Sequence, residues 1–193
     1  MFFSKDITKE GNPVLKQKCS NVTLPLSSAD YEVLKGLYEY VIISANDELV
    51  KQYNIRPGVG IAAPQVGVCK KMFAINVVDF LDEKQTTYLY AVINPQIIKR
   101  SEVMTYLPGG EGCLSVDRET TGITPRHYSI TFKAALYDFR TNKAKFVTQT
   151  LEGYPAIVFQ HEYDHLEGTL FTDKLYNELP GVEPLFTYEE ETE

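Results

Sequence analysis

The clearest periodicity in the chain is helical and lies near its start. From Ser27-Ser28 onward, apolar residues fall at Val33, Leu34, Leu37, Tyr38, Val41 and Ile42, the i, i+3, i+4 spacing of an amphipathic helix. Serine is a favoured N-cap, and Asp30 and Glu32 occupy the first turn, where acid is favoured. Asn46-Asp47 interrupts the pattern, and a second short helix reaches about Tyr53. Ahead of both, Gly11 to Lys16 has turn residues and no period, which predicts an extended arm. The small-residue stretch Gly58 to Gly67 reads as a strand edge followed by a tight loop.

Beyond it the pattern becomes β-like. Met72 to Val78, Tyr88 to Ile98, Val103 to Leu107, Tyr128 to Phe139 and Phe146 to Leu151 are rich in β-branched and aromatic residues. A last helix is predicted from about Pro155 to Glu167, with Pro in its first turn and Gly168 as its stop. Helix, many strands, then helix is an α+β order rather than an alternating βαβ one.

Composition adds limits. With 193 residues, 44% of them hydrophobic, and neither repeat nor linker, the chain predicts one domain over residues 1–193. Its charge of −7 is uneven. Five Glu (183, 189, 190, 191 and 193) and no Lys or Arg follow Gly181, so −5 lies in a solvated, flexible acidic tail at about 181–193 and −2 elsewhere. A pI of about 5.1 argues against direct nucleic-acid binding, which needs a basic face. No run of about 18 apolar residues could span a bilayer, and the start lacks the layout of a signal peptide. Three Cys make no disulfide framework. A cytoplasmic protein is expected.

The chemistry concentrates in Gln160-His161-Glu162-Tyr163-Asp164-His165. On a helix, residues four apart leave one face a turn from each other, so both imidazoles can reach one metal ion. Glu162, next to the first His, can handle the proton of a water there. Two of the three His in the chain fall in this window, and the apolar Ile157, Val158 and Phe159 before it predict burial. A catalytic site of the zinc type needs a third protein ligand. Cys113 stands out in Gly109-Gly110-Glu111-Gly112-Cys113-Leu114-Ser115, with Asp164 and Glu167 as rivals. Cys19 and Cys69 read as inert, and His127 has no evident role. Gly58 to Gln65 lacks the third Gly of a dinucleotide fingerprint; its small residues suit pairing with an extended ligand backbone.

These three segments, in this order, resemble the peptide deformylases, whose motifs read Gly-x-Gly-x-Ala-Ala-x-Gln, Glu-Gly-Cys-x-Ser and Gln-His-Glu-x-Asp-His. Gly58 to Gln65, Glu111 to Ser115 and Gln160 to His165 match every defined position. The likeness extends through Pro13, Leu15, Asn94-Pro95, Arg126 and Leu151 to Ala156, and so covers the chain to about Asp173. It is nearest the longer class of Gram-positive bacteria and mycoplasmas, with Lys16 where the family often has Arg.

The resemblance implies mainly antiparallel sheets packed around a central C-terminal helix. It implies removal of the N-formyl group from the initiator methionine of new polypeptides, with release of formate. Cys113, His161 and His165 would hold one divalent metal ion, Fe(II) in the cell, with Zn, Ni or Co able to replace it in a purified sample. Glu162 would be the general base, then acid. The Gln65 amide and the Leu114 N–H would form the oxyanion hole. Val59 and Gly60 would pair with the substrate backbone, and Ile157 and Val158 would line a methionine pocket. The resemblance also implies a monomer that contacts the ribosome transiently, although the acidic C-terminus offers no basic docking surface. Two other readings are a metallopeptidase using the same helix and a non-catalytic domain with a structural ion, which would need a fourth ligand.

Overall fold

In the computed structural model of the protein, which describes residues 1–188, one antiparallel sheet is built around a strand that is buried on both sides. The sheet order is β1 (Gly60–Ala62), β2 (Met72–Val78), β3 (Thr87–Arg100), β6 (Ser129–Asp138) and β7 (Lys143–Glu152). The short strands β4 (Met104–Thr105) and β5 (Arg126–His127) pair separately. In β2, Met72 and Ala74 face helix α1 (Ser28–Ser44), whereas Phe73, Ile75 and Val77 face helix α3 (Gly153–Leu166). Two buried faces explain why β2 reads as an apolar run instead of an alternation. The Phe159 ring packs between Phe73 and Phe132, at centroid distances of 5.0 and 4.3 Å.

Strand β3 joins two parts of the sheet. Thr87–Ile93 pair with β2 and Val92–Arg100 with β6, and the register slips between Ile93 and Gln96. Asn94 sits at that slip in the left-handed region, φ 51°, which Asn tolerates better than most residues. Its side chain accepts from Val22 N–H and donates to Val22 C=O, each at 2.8 Å, tying down the N-terminal segment.

Several boundaries differ from the sequence reading. The arm is not extended throughout, because Asn12 caps the N–H of Val14 and Pro13 opens a 3-10 turn over Pro13–Lys16. After β1 the chain turns through a 3-10 helix at Ala63–Val66. Only Met104–Thr105 of the predicted 103–107 strand is paired; instead the Tyr106 C=O accepts from Leu185 N–H at 2.8 Å. Strand β7 begins at Lys143, ahead of Phe146, because the hairpin turn is set at Asn142, φ 54°. Helix α3 starts two residues before Pro155. Past its end, Gly168 is obligatory, because a Cβ there would meet the Lys16 C=O at 2.7 Å. Of the expected acidic tail, residues 189–193 lie outside the described residues. Within it, Phe186 packs on Phe80 at 5.4 Å, and Thr105 Oγ1 donates to the Glu183 C=O at 3.1 Å.

Candidate active site

Helix α3 presents His161, Glu162 and His165 to the loop that carries Cys113. The ligand atoms of Cys113, His161 and His165 all lie within 4.8 Å of one another, with Cys113 Sγ 3.4 Å from His165 Nε2. The rivals do not join them. Asp164 instead pairs with Arg126 and Lys174, and Glu167 with Lys18 and Lys71.

Several polar groups on this buried helix are answered from other segments. His161 Nδ1 is 2.8 Å from Glu111 Oε2, and Glu111 in turn receives both arms of Arg126 at 2.7 and 2.8 Å. A carboxylate on Nδ1 is how metal-binding histidines are commonly oriented, and here it turns the other ring nitrogen toward Cys113. Arg126 also donates to Asp164 at 2.6 Å. Burial alone would raise the Glu111 carboxyl, but Arg126 and then His161 hold it down at about 2. Burial likewise opposes a charged His161, yet the Cys113 sulfur and the Glu111 carboxylate raise its pKa well above the ordinary value. Burial, with the charges of His161 and Arg126, drives His165 well below it. Gln160 does not face the ligands. Its side chain accepts from His127 N–H at 3.0 Å and donates to His127 C=O at 2.8 Å, locking α3 to β5.

Glu162 is buried, and burial pushes its carboxyl up to about 7; His161 and Arg126 oppose that shift and Glu111 adds to it. Gly60 explains how the carboxylate fits, since a Cβ at that position would overlap Glu162 Oε1. Gln65 is locked as well. Its Oε1 accepts from Ala62 N–H at 2.8 Å, which turns Nε2 toward Cys113 Sγ at 3.4 Å and Ser115 Oγ at 3.2 Å. Beside these groups opens a cavity of about 360 Å³, lined in part by Val59, Gly60, Gln65, Leu114, Ile157, Val158, His161 and Glu162. Val59 is half used already, because its C=O accepts from Asn76 N–H at 2.8 Å. By the alternation of an antiparallel ladder, the backbone groups of Gly60 then face away from β2.

The residues present fit a divalent ion. One thiol and two imidazoles form a donor set for Fe, Zn, Ni or Co. The His161 ring is held through Nδ1 by Glu111, and Glu162 Oε2 and His165 Nδ1 are buried without a hydrogen-bond partner among the described residues. Sequence reasoning assigned no role to Arg126, to Gln160, or to Arg56, Leu107 and Tyr154 in the cavity wall. Arg126 and Gln160 did stand inside the motif pattern, which was the available signal.

Comparison with known proteins identifies the family. The profile of the polypeptide deformylase family matches residues 4–179. The chain belongs to that family. A peptide deformylase of Halalkalibacterium halodurans is 47% identical over 175 residues, covering 91% of this chain and 92% of the relative. A peptide deformylase of Staphylococcus epidermidis is 42% identical over 193 residues, the full length of both. Among solved structures, a Met-Ala-Ser-bound class I type b peptide deformylase of Acinetobacter baumannii superposes with a TM-score of 0.66 at 27% identity, covering 88% of this chain and 96% of its own. As in that family, mixed helices and antiparallel sheets surround a C-terminal helix, here α3.

Proposed function

We propose that the protein removes the N-formyl group from the N-terminal methionine of newly made polypeptides. The observation that carries this is the meeting of Cys113, His161 and His165 in the wall of a cavity, with the raised carboxyl of Glu162 beside them. Cys113, His161 and His165 hold one divalent ion, Fe(II) in the cell. Such an ion lowers the pKa of water and polarises a carbonyl oxygen.

Glu162 accepts a proton from water as its oxygen attacks the formyl carbon, and a pKa of about 7 suits a general base working near neutral pH. The Gln65 amide and the Leu114 N–H stabilise the oxyanion that develops, each contributing about 3 kcal/mol when well placed. Glu162 then delivers its proton to the nitrogen as the carbon–nitrogen bond breaks, leaving formate and a free methionine amine. Gly60, together with Val59, pairs with the substrate backbone along the free side of β1. Ile157 and Val158, which line the cavity, give the methionine side chain an apolar wall; the Acinetobacter relative is itself described as bound to Met-Ala-Ser.

The same reading takes residues 1–193 as one catalytic domain with an acidic tail. It places a monomer in the cytoplasm, meeting nascent chains at the ribosome. No described helix is long and apolar enough to cross a membrane. The test is formate release from formyl-Met-Ala-Ser, with metal analysis of the same sample. Release from that peptide, with none of its acetylated analogue or the unmodified peptide cleaved, is expected. Cleavage of internal peptide bonds would overturn it.

A further inference from the structure

Cys19 and Cys69 are 50 residues apart in sequence, yet their Sγ atoms lie 2.9 Å from each other. The backbone on both sides holds them there. Ser20 N–H donates to the Cys69 C=O at 3.2 Å, Lys71 N–H to the Ser20 C=O at 2.8 Å, and Cys19 N–H to the Leu166 C=O at 2.8 Å. Cys19 is buried and Cys69 is partly exposed, so a small oxidant reaches the pair through Cys69. Neither lines the active-site cavity. The pair is not a second metal centre, because among the described residues the one cluster of three close ligand atoms is that of Cys113.

We propose that Cys19 and Cys69 form a reversible disulfide when the protein meets a hydroperoxide, a modification site separate from Cys113. Cys69 Sγ attacks one peroxide oxygen; the sulfur–oxygen bond forms, the oxygen–oxygen bond breaks, and the departing oxygen takes the Cys69 proton and leaves as water from hydrogen peroxide or as an alcohol from an organic hydroperoxide. Cys69 is then a sulfenic acid. Cys19 Sγ attacks that sulfur, the sulfur–sulfur bond forms, and the departing hydroxide takes the Cys19 proton and leaves as water. Two electrons pass from the two thiols to the peroxide, and a dithiol reductant reverses the change. The bond closes a loop that carries α1, α2 (Asp47–Tyr53) and Gln65, and it fixes the arm at Leu166, next to His165.

The test treats the metal-loaded full chain with a few equivalents of hydrogen peroxide, then unfolds it and alkylates free thiols for mass spectrometry. The expected product is about 2 Da lighter before alkylation, with one alkylatable thiol, Cys113, and a cross-linked peptide pair containing Cys19 and Cys69. Its melting temperature should rise by about 5–10 °C, the effect of closing a loop of this length, and return on reduction by dithiothreitol. Cys69→Ser, at the partly exposed position, and Cys19→Ser should each abolish the cross-link and the rise. Three alkylatable thiols after treatment, oxygen adducts on Cys69 with Cys19 still free, or a disulfide that includes Cys113 would overturn the proposal.

Discussion

Helices α1 and α3 cover opposite faces of one sheet with very different interiors. Helix α1 buries Leu34, Leu37, Tyr40 and Val41, while Glu32 on its outer side is exposed. Helix α3 buries apolar Ile157 and Phe159 together with Gln160, Glu162 and His165. A polar group taken out of water costs free energy unless it is bonded, so α3 depends on distant segments in a way α1 does not. Glu111 and Arg126 serve His161 and Asp164, and the backbone of His127 serves Gln160. One helix is packing material; the other is a fixture held from outside.

Five substitutions, one of them the control for a titration, separate the two roles. The largest effect belongs to Glu162→Gln, expected to lower kcat/KM by about 10³- to 10⁴-fold, roughly 4–5.5 kcal/mol, with metal content unchanged. Metal analysis beside steady-state kinetics reads both. Arg126→Met strands the buried Glu111 carboxylate, and urea unfolding should show a loss of about 3–5 kcal/mol. Leu37→Ala in α1 should cost a comparable or smaller 2–4 kcal/mol by cavity formation, but leave metal stoichiometry and turnover per folded molecule intact. Loss of metal in that variant would break the contrast.

The acid limb comes next. Glu111 titrates at about 2 in the folded protein against an ordinary 4.5, so its contribution is complete above pH 4.5 and is lost as pH falls toward 2. The integrated loss is about 3 kcal/mol, and Glu111→Gln should flatten stability across that window. The smallest effect is Ser27→Ala. Ser27 Oγ accepts from Asp30 N–H at 3.1 Å at the start of α1, and losing that cap should cost about 1 kcal/mol in thermal unfolding without any change at the site.

What could be read from the sequence follows the same division. Features set within one element were legible: the apolar stripe of α1, the β2 run, and the four-residue spacing of His161 and His165. Spacing alone could not choose between Cys113, Asp164 and Glu167, because that choice depends on which loop returns to α3. Arg126 is 15 residues from Glu111 and 38 from Asp164, and no local period links residues so far apart. The sulfur contact between Cys19 and Cys69 was hidden for the same reason, since two cysteines that each look isolated meet only once the arm lies against the segment leading into β2. The short β5 also escaped, because two residues held by Gln160 carry no alternation to detect.

The placement of the three donor atoms along the chain fixes when the site can exist during synthesis. Cys113 emerges with the middle of the protein, but His161 and His165 belong to α3, the last α-helix among the described residues. The arm before α1 must also wait, since Cys19 docks on Leu166 and Lys16 pairs with Asp173. A growing chain therefore has an incomplete donor set until residue 165 of 193 has been added. An ion held by these three side chains would therefore bind only after α3 has been made and has packed against the loop of Cys113.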